Sequence, residues 1–507
     1  EDRRIVVVGD FDADGATSCA VALRGLRACG ARHVDYVVPN RFEYGYGLTP
    51  PIVGLVREKG GEVLVTVDNG ISSLEGVAAA RAAGLSVIVT DHHLAGAELP
   101  AADAIVNPNV EGDAFPSKAL AGVGVIFYVM LALRARLRAA GWFGERGLPE
   151  PNLAELLDLV ALGTVADVVP LDANNRRLVA QGLARIRAGR AQPGVLALLA
   201  VAGRDARRAL ASDLGFAVGP RLNAAGRLAD MSQGIELLLC DDPARARSLA
   251  AELDDLNRAR REIERDMKQQ AQAIVAGLPL GADARLPAGL CLFDAEWHQG
   301  VIGIVASRIK DLHHRPTIAF APGDAGELKG SARSIPGVHV RDVLDAIAAS
   351  HPGLLGRFGG HAMAAGLALR AEDLPRFEAA FAAEVARRVD ESVLERVILS
   401  DGELAAADFT LDLARSLNAL VPWGQGFPEP VFDGVFRILE RRVVGEHHLR
   451  LTLERPGGGA LPAIAFNARG EDWAGDAPRI HAAYRLAVNE WQAVESLQLV
   501  IEHAVEA

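Results

Sequence analysis

Only four cysteines occur in 507 residues, Cys19, Cys29, Cys240 and Cys291, and no two of them form a CxxC pair. That scarcity argues against a disulfide scaffold and against a cysteine-ligated structural zinc. With no secretory signal ahead of the first strand, it leads to the expectation of a reduced, cytoplasmic protein. Long apolar runs are also lacking. The longest, residues 119–133, ends at Arg134 and contains Gly122 and Gly124. It falls short of the roughly 20 residues a membrane span needs, reads as a buried helix, and leaves no membrane partner to expect. Excess positive charge is absent as well: 53 Lys and Arg face 65 Asp and Glu, a net charge of −12. On its face this disfavours a nucleic-acid partner, yet carboxylates gathered in one site contribute to the total, and an acidic surface is compatible with a local basic channel. No internal repeat or low-complexity tail is visible. The chain starts at Glu1 rather than Met, a few residues ahead of its first strand, so a preceding segment is expected to be missing.

What is present is apolar and regularly alternating. Half of the residues are hydrophobic, enough for large cores, and the length suits about three domains of roughly 100 to 200 residues each. Short β-rich runs alternate with Ala-rich helical stretches through residues 1–190, the pattern of a mostly parallel sheet covered by helices. Residues 191–280 read as a helical connection, and within it residues 241–277 form one long, charged helix free of internal Gly and Pro after its first turn. Residues 281–395 form a second α/β unit containing the Gly-rich stretch 359–366. Residues 396–507 alternate apolar and polar positions between Gly, Pro and Asn turns, which predicts a small antiparallel β-barrel or sandwich.

Three apolar strands each run straight into acid: Asp10, Asp12 and Asp14 after the first, Asp68 after the second, and Asp91-His92-His93 after the third. Parallel sheets place ligands beyond the carboxyl ends of their strands, so these acids are expected to converge. Each alone has an ordinary explanation, since Asp caps helices and Asp-Asn-Gly makes turns. Two adjacent histidines after Asp91 do not, because a turn needs neither. A further acid, Asp167, ends an apolar stretch just before Pro170. Together these carboxylates and one imidazole make an oxygen-rich shell suited to Mn²⁺ or Mg²⁺ rather than zinc. Two such ions roughly 3.5 to 4 Å apart would activate water and stabilise both oxygens of a phosphoester displacement.

The set GDFDADG, VDNG, TDHH and GTVADVVPL resembles, in that order, the four motifs of the DHH phosphoesterase superfamily. The remaining motifs, GPRLNAAGR, WHQGVIG and GGHAMAAG, are similar to those of its bacterial single-stranded-DNA-specific exonucleases. The resemblance spans nearly the whole chain. It implies a DHH domain, a DHH-associated domain and a terminal OB fold, with two Mn²⁺ or Mg²⁺ ions and 5′-to-3′ cleavage of single-stranded DNA during repair and recombination. By it, Asp12 and Asp68 hold one ion, joined by Asp10, which stands where other members carry histidine. Asp14, Asp68, His92 and Asp167 hold the other. His93 faces the scissile phosphate, and Asp91 orients a neighbouring histidine. Arg41 and Tyr46 would contact a terminal nucleotide, and Ser331, Arg333, Gly360 and His361 would grip phosphate. Arg221, Asn223 and Arg227 either line the strand's path or pin the long helix to the core. The resemblance favours a monomer, and a helicase and a single-strand-binding protein are possible partners.

Two rival readings remain open. One is a superfamily phosphoesterase acting on short oligonucleotides or cyclic dinucleotides, a kind that generally lacks the terminal barrel. The other is an inactive single-strand-binding scaffold, which would be expected to have lost ligands. If the last module only holds DNA, truncation after about residue 395 is expected to leave the metal centre intact, with Arg441, Arg442, Arg450, Phe436, Phe466 and Tyr484 as candidate strand contacts.

Overall fold

The computed structural model describes residues 2–40, 44, 47–277, 286–323, 326–445, 447–468, 473, 475, 477–492 and 494–507. Arg41 and Tyr46 lie outside these described residues. The chain divides into one compact unit of Glu1–Gly226, Asp230–Asp254 and Ile398–Ala507, and a second of Arg227–Ala229 and Asp255–Val397.

The first unit begins with five strands, β1 (Ile5–Gly9), β2 (Val34–Val37), β3 (Val63–Val67), β4 (Ser86–Thr90) and β5 (Ala104–Val106). All pair in parallel, in the order β2-β1-β3-β4-β5. Parallel strands are covered on both faces and therefore read as continuous apolar runs, as Val6, Val7, Val8, Leu64, Val87 and Val89 show by their complete burial. The order reverses between β1 and β3, and in open α/β sheets the ligand crevice lies outside the strand ends at such a switch point.

The strand–helix alternation stops after β5. The chain then turns helical, with helices Gly122–Ala139, Leu157–Ala166 and Ala173–Arg187 followed by further helices up to Pro243–Ala276. Helix Leu157–Ala166 is apolar nearly all round, its residues 158–164 buried, so it belongs to the interior. Helix Pro243–Ala276 is the long charged helix expected from residues 241–277.

The second unit holds β6 (Leu290–Phe293), β7 (Thr317–Pro322), β8 (Glu327–Arg333), β9 (Phe358–Gly360) and β10 (Ala364–Arg370), in the order β6-β7-β8-β10-β9. Only β6 and β7 are parallel there. Phe320, Phe377 and Phe381, all fully buried, anchor its core.

The last module, part of the first unit, is a closed barrel of β11 (Phe432–Val444), β12 (His448–Glu454), β13 (Ala460–Ala465), β14 (Arg479–Trp491) and β15 (Val494–Glu506). One of its pairs, β13 with β15, is parallel, a departure from the all-antiparallel expectation. Closure leaves no free sheet edge. Phe436 and Tyr484 are 2% and 0% exposed and pack edge to face inside the barrel. They are core residues and are not available as stacking platforms, whereas Phe466 is 56% exposed. Among the described residues, no helix is long and apolar enough to cross a membrane.

Candidate metal centre

Register places the acids. Gly9 of β1 pairs with Val67 of β3, and Val67 pairs with Thr90 of β4. The residues that follow, Asp10, Asp68 and Asp91, therefore leave the sheet level with one another at the switch point. Asp12 caps helix Ala13–Ala28, its Oδ1 accepting from Gly15 N at 3.0 Å, and Asp14 sits in that helix's first turn. A Cβ on Gly15 would lie 2.4 Å from the Asp10 carbonyl oxygen, so only glycine allows so tight an entry. Asp167 arrives from elsewhere, as the C-cap of helix Leu157–Ala166.

Among the described residues three groups of potential ligand atoms result, the atoms of each lying within 4.8 Å of one another: Asp10, Asp12 and Asp68; Asp14, His92 and Asp167; and Asp68, His92 and His93. His92 Nε2 stands 3.1 Å from Asp68 Oδ1, 3.5 Å from Asp167 Oδ2 and 4.0 Å from Asp14 Oδ2. The Oδ1 of Asp68 is buried and has no hydrogen-bond partner among the described residues. Burial first, and neighbouring carboxylates second, raise the Asp14 carboxyl to about 7 and hold Asp68 and Asp167 well above the usual carboxylate range. A buried cluster of acids that repel one another and leave an oxygen unsatisfied calls for cations, and the donor set fits Mn²⁺ or Mg²⁺.

Asp91 has a different task. Its Oδ1 lies 2.7 Å from His93 Nδ1 and accepts from the backbone N–H groups of His92 and His93, while Oδ2 accepts from Ile71 N. Burial pushes its carboxyl up, but the hydrogen bond and charge of His93 prevail and hold it low. Burial opposes the charged form of His93, and the same contact outweighs it and raises that ring. Asp91 thus fixes the orientation of the His93 ring and favours its charged form.

Several contributors were not foreseen. Asp14 accepts from Gly122 N at 2.6 Å and Val123 N at 2.9 Å, the first turn of helix Gly122–Ala139. A helix N-terminus favours negative charge. Asn107 and Asn109 donate to the carbonyls of His93 and His92, fixing the double-histidine turn. The Asn-Pro-Asn stretch directly after β5 was the available signal.

Of the two expectations for Arg221, its surroundings favour the anchor of the long helix. Arg221 is 7% exposed, with Nε 2.8 Å from Asp254 Oδ1 and Nη1 donating to the Ala217 carbonyl. Its guanidinium is spent pinning the long helix. Asn223 accepts from Ala13 N at 2.8 Å and so props the Asp12–Asp14 turn, and Arg227 Nη1 donates to Gly300 O. In the second unit, Ala332 pairs with Ala365 and Ala365 with Gly360, which gathers Ser331, Arg333, Gly360 and His361 at one end of β8, β10 and β9. Arg333 Nη1 donates to Ser331 Oγ at 3.0 Å, and a Cβ on Gly303, in the first turn of helix Ile302–His313, would lie 2.7 Å from Arg333 Nη2. Hydroxyl, guanidinium and helix N-terminus adjoin one another, a set suited to phosphate.

The raised carboxyls make a stability prediction. Unfolded Asp ionises near about 4, whereas folded Asp14 keeps its proton to about 7 and Asp68 and Asp167 beyond the usual range. Between those values the folded state binds more protons than the unfolded one, so metal-free stability falls as pH rises. Melting in EDTA is expected at a lower temperature at about pH 8 than at about pH 5.5, with the gain on adding Mn²⁺ larger at the higher pH. A metal-free melting temperature independent of pH, with no proton release on Mn²⁺ titration, contradicts this electrostatic picture.

Residues 4–164 match the DHH family N-terminal domain, residues 284–387 the DHHA1 domain and residues 400–503 the RecJ OB domain. The chain is similar to a protein of Dickeya dadantii (strain 3937) named single-stranded-DNA-specific exonuclease RecJ, at 59% identity over 99% of this chain and 88% of that protein. A protein of the same name from Escherichia coli (strain K12) is 56% identical over 99% and 87%. Among solved structures, RecJ of Thermus thermophilus in complex with Mn²⁺ aligns with a TM-score of 0.81 at 33% identity, over 100% of this chain and 69% of that one.

Proposed function

This chain belongs to the RecJ family of single-stranded-DNA-specific exonucleases, and we propose that it releases 5′-mononucleotides stepwise from the 5′ end of a single strand. The enzyme is a metal-dependent exonuclease, and its cofactor is Mn²⁺ or Mg²⁺. The observation that carries the reading is the level exit of Asp10, Asp68 and Asp91 from adjacent strands, with Asp12, Asp14, His92 and Asp167 brought within ligand reach.

In this reading Asp10, Asp12 and Asp68 hold one ion and Asp14, Asp68, His92 and Asp167 the other, with Asp68 shared. When bound, the ions supply Lewis acidity and lower the pKa of water for phosphoester cleavage. His93, oriented by Asp91, donates a hydrogen bond to the scissile phosphate. Ser331, Arg333, Gly360 and His361 grip a phosphate of the strand, and Arg41 and Tyr46 meet its terminal nucleotide. Residues 1–190 serve as the catalytic domain, 191–280 as the connection, 281–395 as the substrate-gripping domain and 396–507 as the strand-holding barrel. We place the enzyme in the cytoplasm as a monomer serving DNA repair and recombination, with a helicase and a single-strand-binding protein as partners.

The presence of the RecJ OB domain disfavours a phosphoesterase confined to short oligonucleotides, and the complete ligand set disfavours an inactive scaffold. The deciding experiment digests 5′-labelled and 3′-labelled single strands with Mn²⁺ and with EDTA. Labelled mononucleotide is expected first from the 5′-labelled strand and only with metal. Early release of the 3′ label contradicts the polarity.

Arg333 binds rather than performs chemistry. A charged hydrogen bond of about 1.5 to 3 kcal/mol converts to a rise in KM of about 10- to 150-fold for Arg333→Ala, with kcat changed much less. A normal KM with kcat reduced by several powers of ten would move Arg333 into the transition-state shell.

A further inference from the structure

The residue after Asp167 is strained. Val168 has φ of +63° and is 61% exposed, and a β-branched residue adopts left-handed backbone only where its surroundings over-determine it. The loop it opens, residues 168–172, is held from two sides. On one side Asn175, fully buried, donates through Nδ2 to the carbonyls of Pro170 and Ala119, and Ser117 Oγ donates to Asp172 at 2.7 Å.

On the other side stands a turn from the last module. Gln425 O accepts from the N–H of buried Leu171 at 2.7 Å. A Cβ on Gly424 would lie 2.7 Å from Leu171 Cδ1, and one on Gly426, whose φ is +67°, would lie 3.3 Å from Pro170 Cβ, so the turn packs closely against the loop. The turn is closed by a bridge between Gly424 and Phe427 and by stacking of Trp423 on Phe427, with centroids 5.2 Å apart. Trp423 Nε1 donates to Leu417 O. Arg176 then ties the two partners together: its guanidinium lies 4.1 Å from the Phe427 ring centroid while Nη1 donates to Leu171 O at 2.8 Å.

We propose that the Trp423–Phe427 turn is a positioning element that sets the place of Asp167, so that the C-terminal module tunes one of the two metal sites besides holding DNA. The inference rests on the reading of Asp167 as a ligand to one ion only. It reverses the expectation that truncation after about residue 395 spares the metal centre, because that cut removes the turn, orphans the Leu171 N–H and releases a strained loop.

The test is Mn²⁺ binding to the full-length protein, followed by calorimetry and by electron paramagnetic resonance. Phe427→Ala and, separately, Arg176→Gln are expected to weaken one Mn²⁺ step by about 10- to 100-fold, the usual cost of losing a partner that orients a ligand. The other step should stay within about twofold, and Phe427→Tyr, which keeps the ring under the guanidinium, should restore parental binding. Binding unchanged in both disruptive variants overturns the proposal, as does equal weakening of both steps, which marks a general loss of fold. Asp167→Asn separates the premise from the inference. If it leaves both steps unchanged, the ligand reading fails and the clamp with it; if it weakens one step while Phe427→Ala and Arg176→Gln do not, only the clamp fails.

Discussion

Replacing Asp68 by Asn is expected to abolish turnover, by more than about a thousandfold, while raising the melting temperature of the metal-free protein. Asn is the right probe because Asp68 has φ of +62°, a conformation that Asn and Asp tolerate and Ala does not. Alanine would add roughly 1 to 2 kcal/mol of left-handed strain and blur the result. Asp68 shares one ligand group with Asp10 and Asp12, and its Oδ1 lies 3.1 Å from His92 Nε2, which belongs to the other group with Asp14 and Asp167. Its removal therefore takes away the shared negative charge that holds two cations together. Without metal that same charge is a burden, since burial and then the charges of Asp14 and Asp12 drive its carboxyl far up. Asp10→Asn, touching one group only, is expected to retain one tight Mn²⁺ step. Single-turnover digestion, Mn²⁺ calorimetry and melting in EDTA check these outcomes. If Asp68→Asn kept activity within about tenfold of the parent while Asp10→Asn abolished it, the bridging assignment would be wrong.

The acids could be found in the sequence because their geometry is encoded locally. Each follows a run of apolar residues, and a parallel sheet sends such run-ends to one edge whatever the intervening helices do. Asp167 was harder, since it caps a helix rather than a strand, and the sequence showed it only as an acid closing an apolar stretch before Pro170, a position that a helix-end Asp explains as well. What stayed hidden depends on contacts between distant residues. Nothing in the run 119–133 says that its first turn closes on Asp14, more than a hundred residues earlier. The polar residues of GPRLNAAGR suit DNA as well as structure, and only burial shows Arg221 turned toward Asp254. Alternation along β11 leaves open which face is inward, so Phe436 and the exposed Phe466 look alike until barrel closure separates them. The Trp423–Phe427 turn carries ordinary turn chemistry, and its partner, the loop after Asp167, lies far away in the chain.

Gly122→Ala should lower kcat by about 100-fold, the cost of a displacement near 1 Å in catalytic geometry, although residue 122 carries no side chain to touch DNA. Local helix propensity argues the opposite outcome, since Ala is favoured over Gly in a helix by about 1 kcal/mol. The site decides. A Cβ on Gly122 would lie 2.6 Å from both Cβ and Oδ1 of Asp68, closer than atoms approach, while the Gly122 N–H must stay 2.6 Å from Asp14 Oδ2. Either Asp68 moves out of its ligand position or the helix start retreats and takes the anchor of Asp14 with it. Both ions lose geometry in the first case, and one in the second. The fold should survive, because the added methyl meets one side chain rather than a packed backbone. Gly124→Ala is the matched control, where the added Cβ would meet Leu120 Cδ2 at 2.9 Å, the far end of a side chain that can shift. We expect Gly122→Ala to show weaker Mn²⁺ binding, near-parental KM for single-stranded DNA and an EDTA melting temperature close to the parent, with Gly124→Ala near parental throughout. A Gly122→Ala enzyme with parental kcat and a higher melting temperature would mean that propensity governs this position and that the helix start is not part of the metal centre.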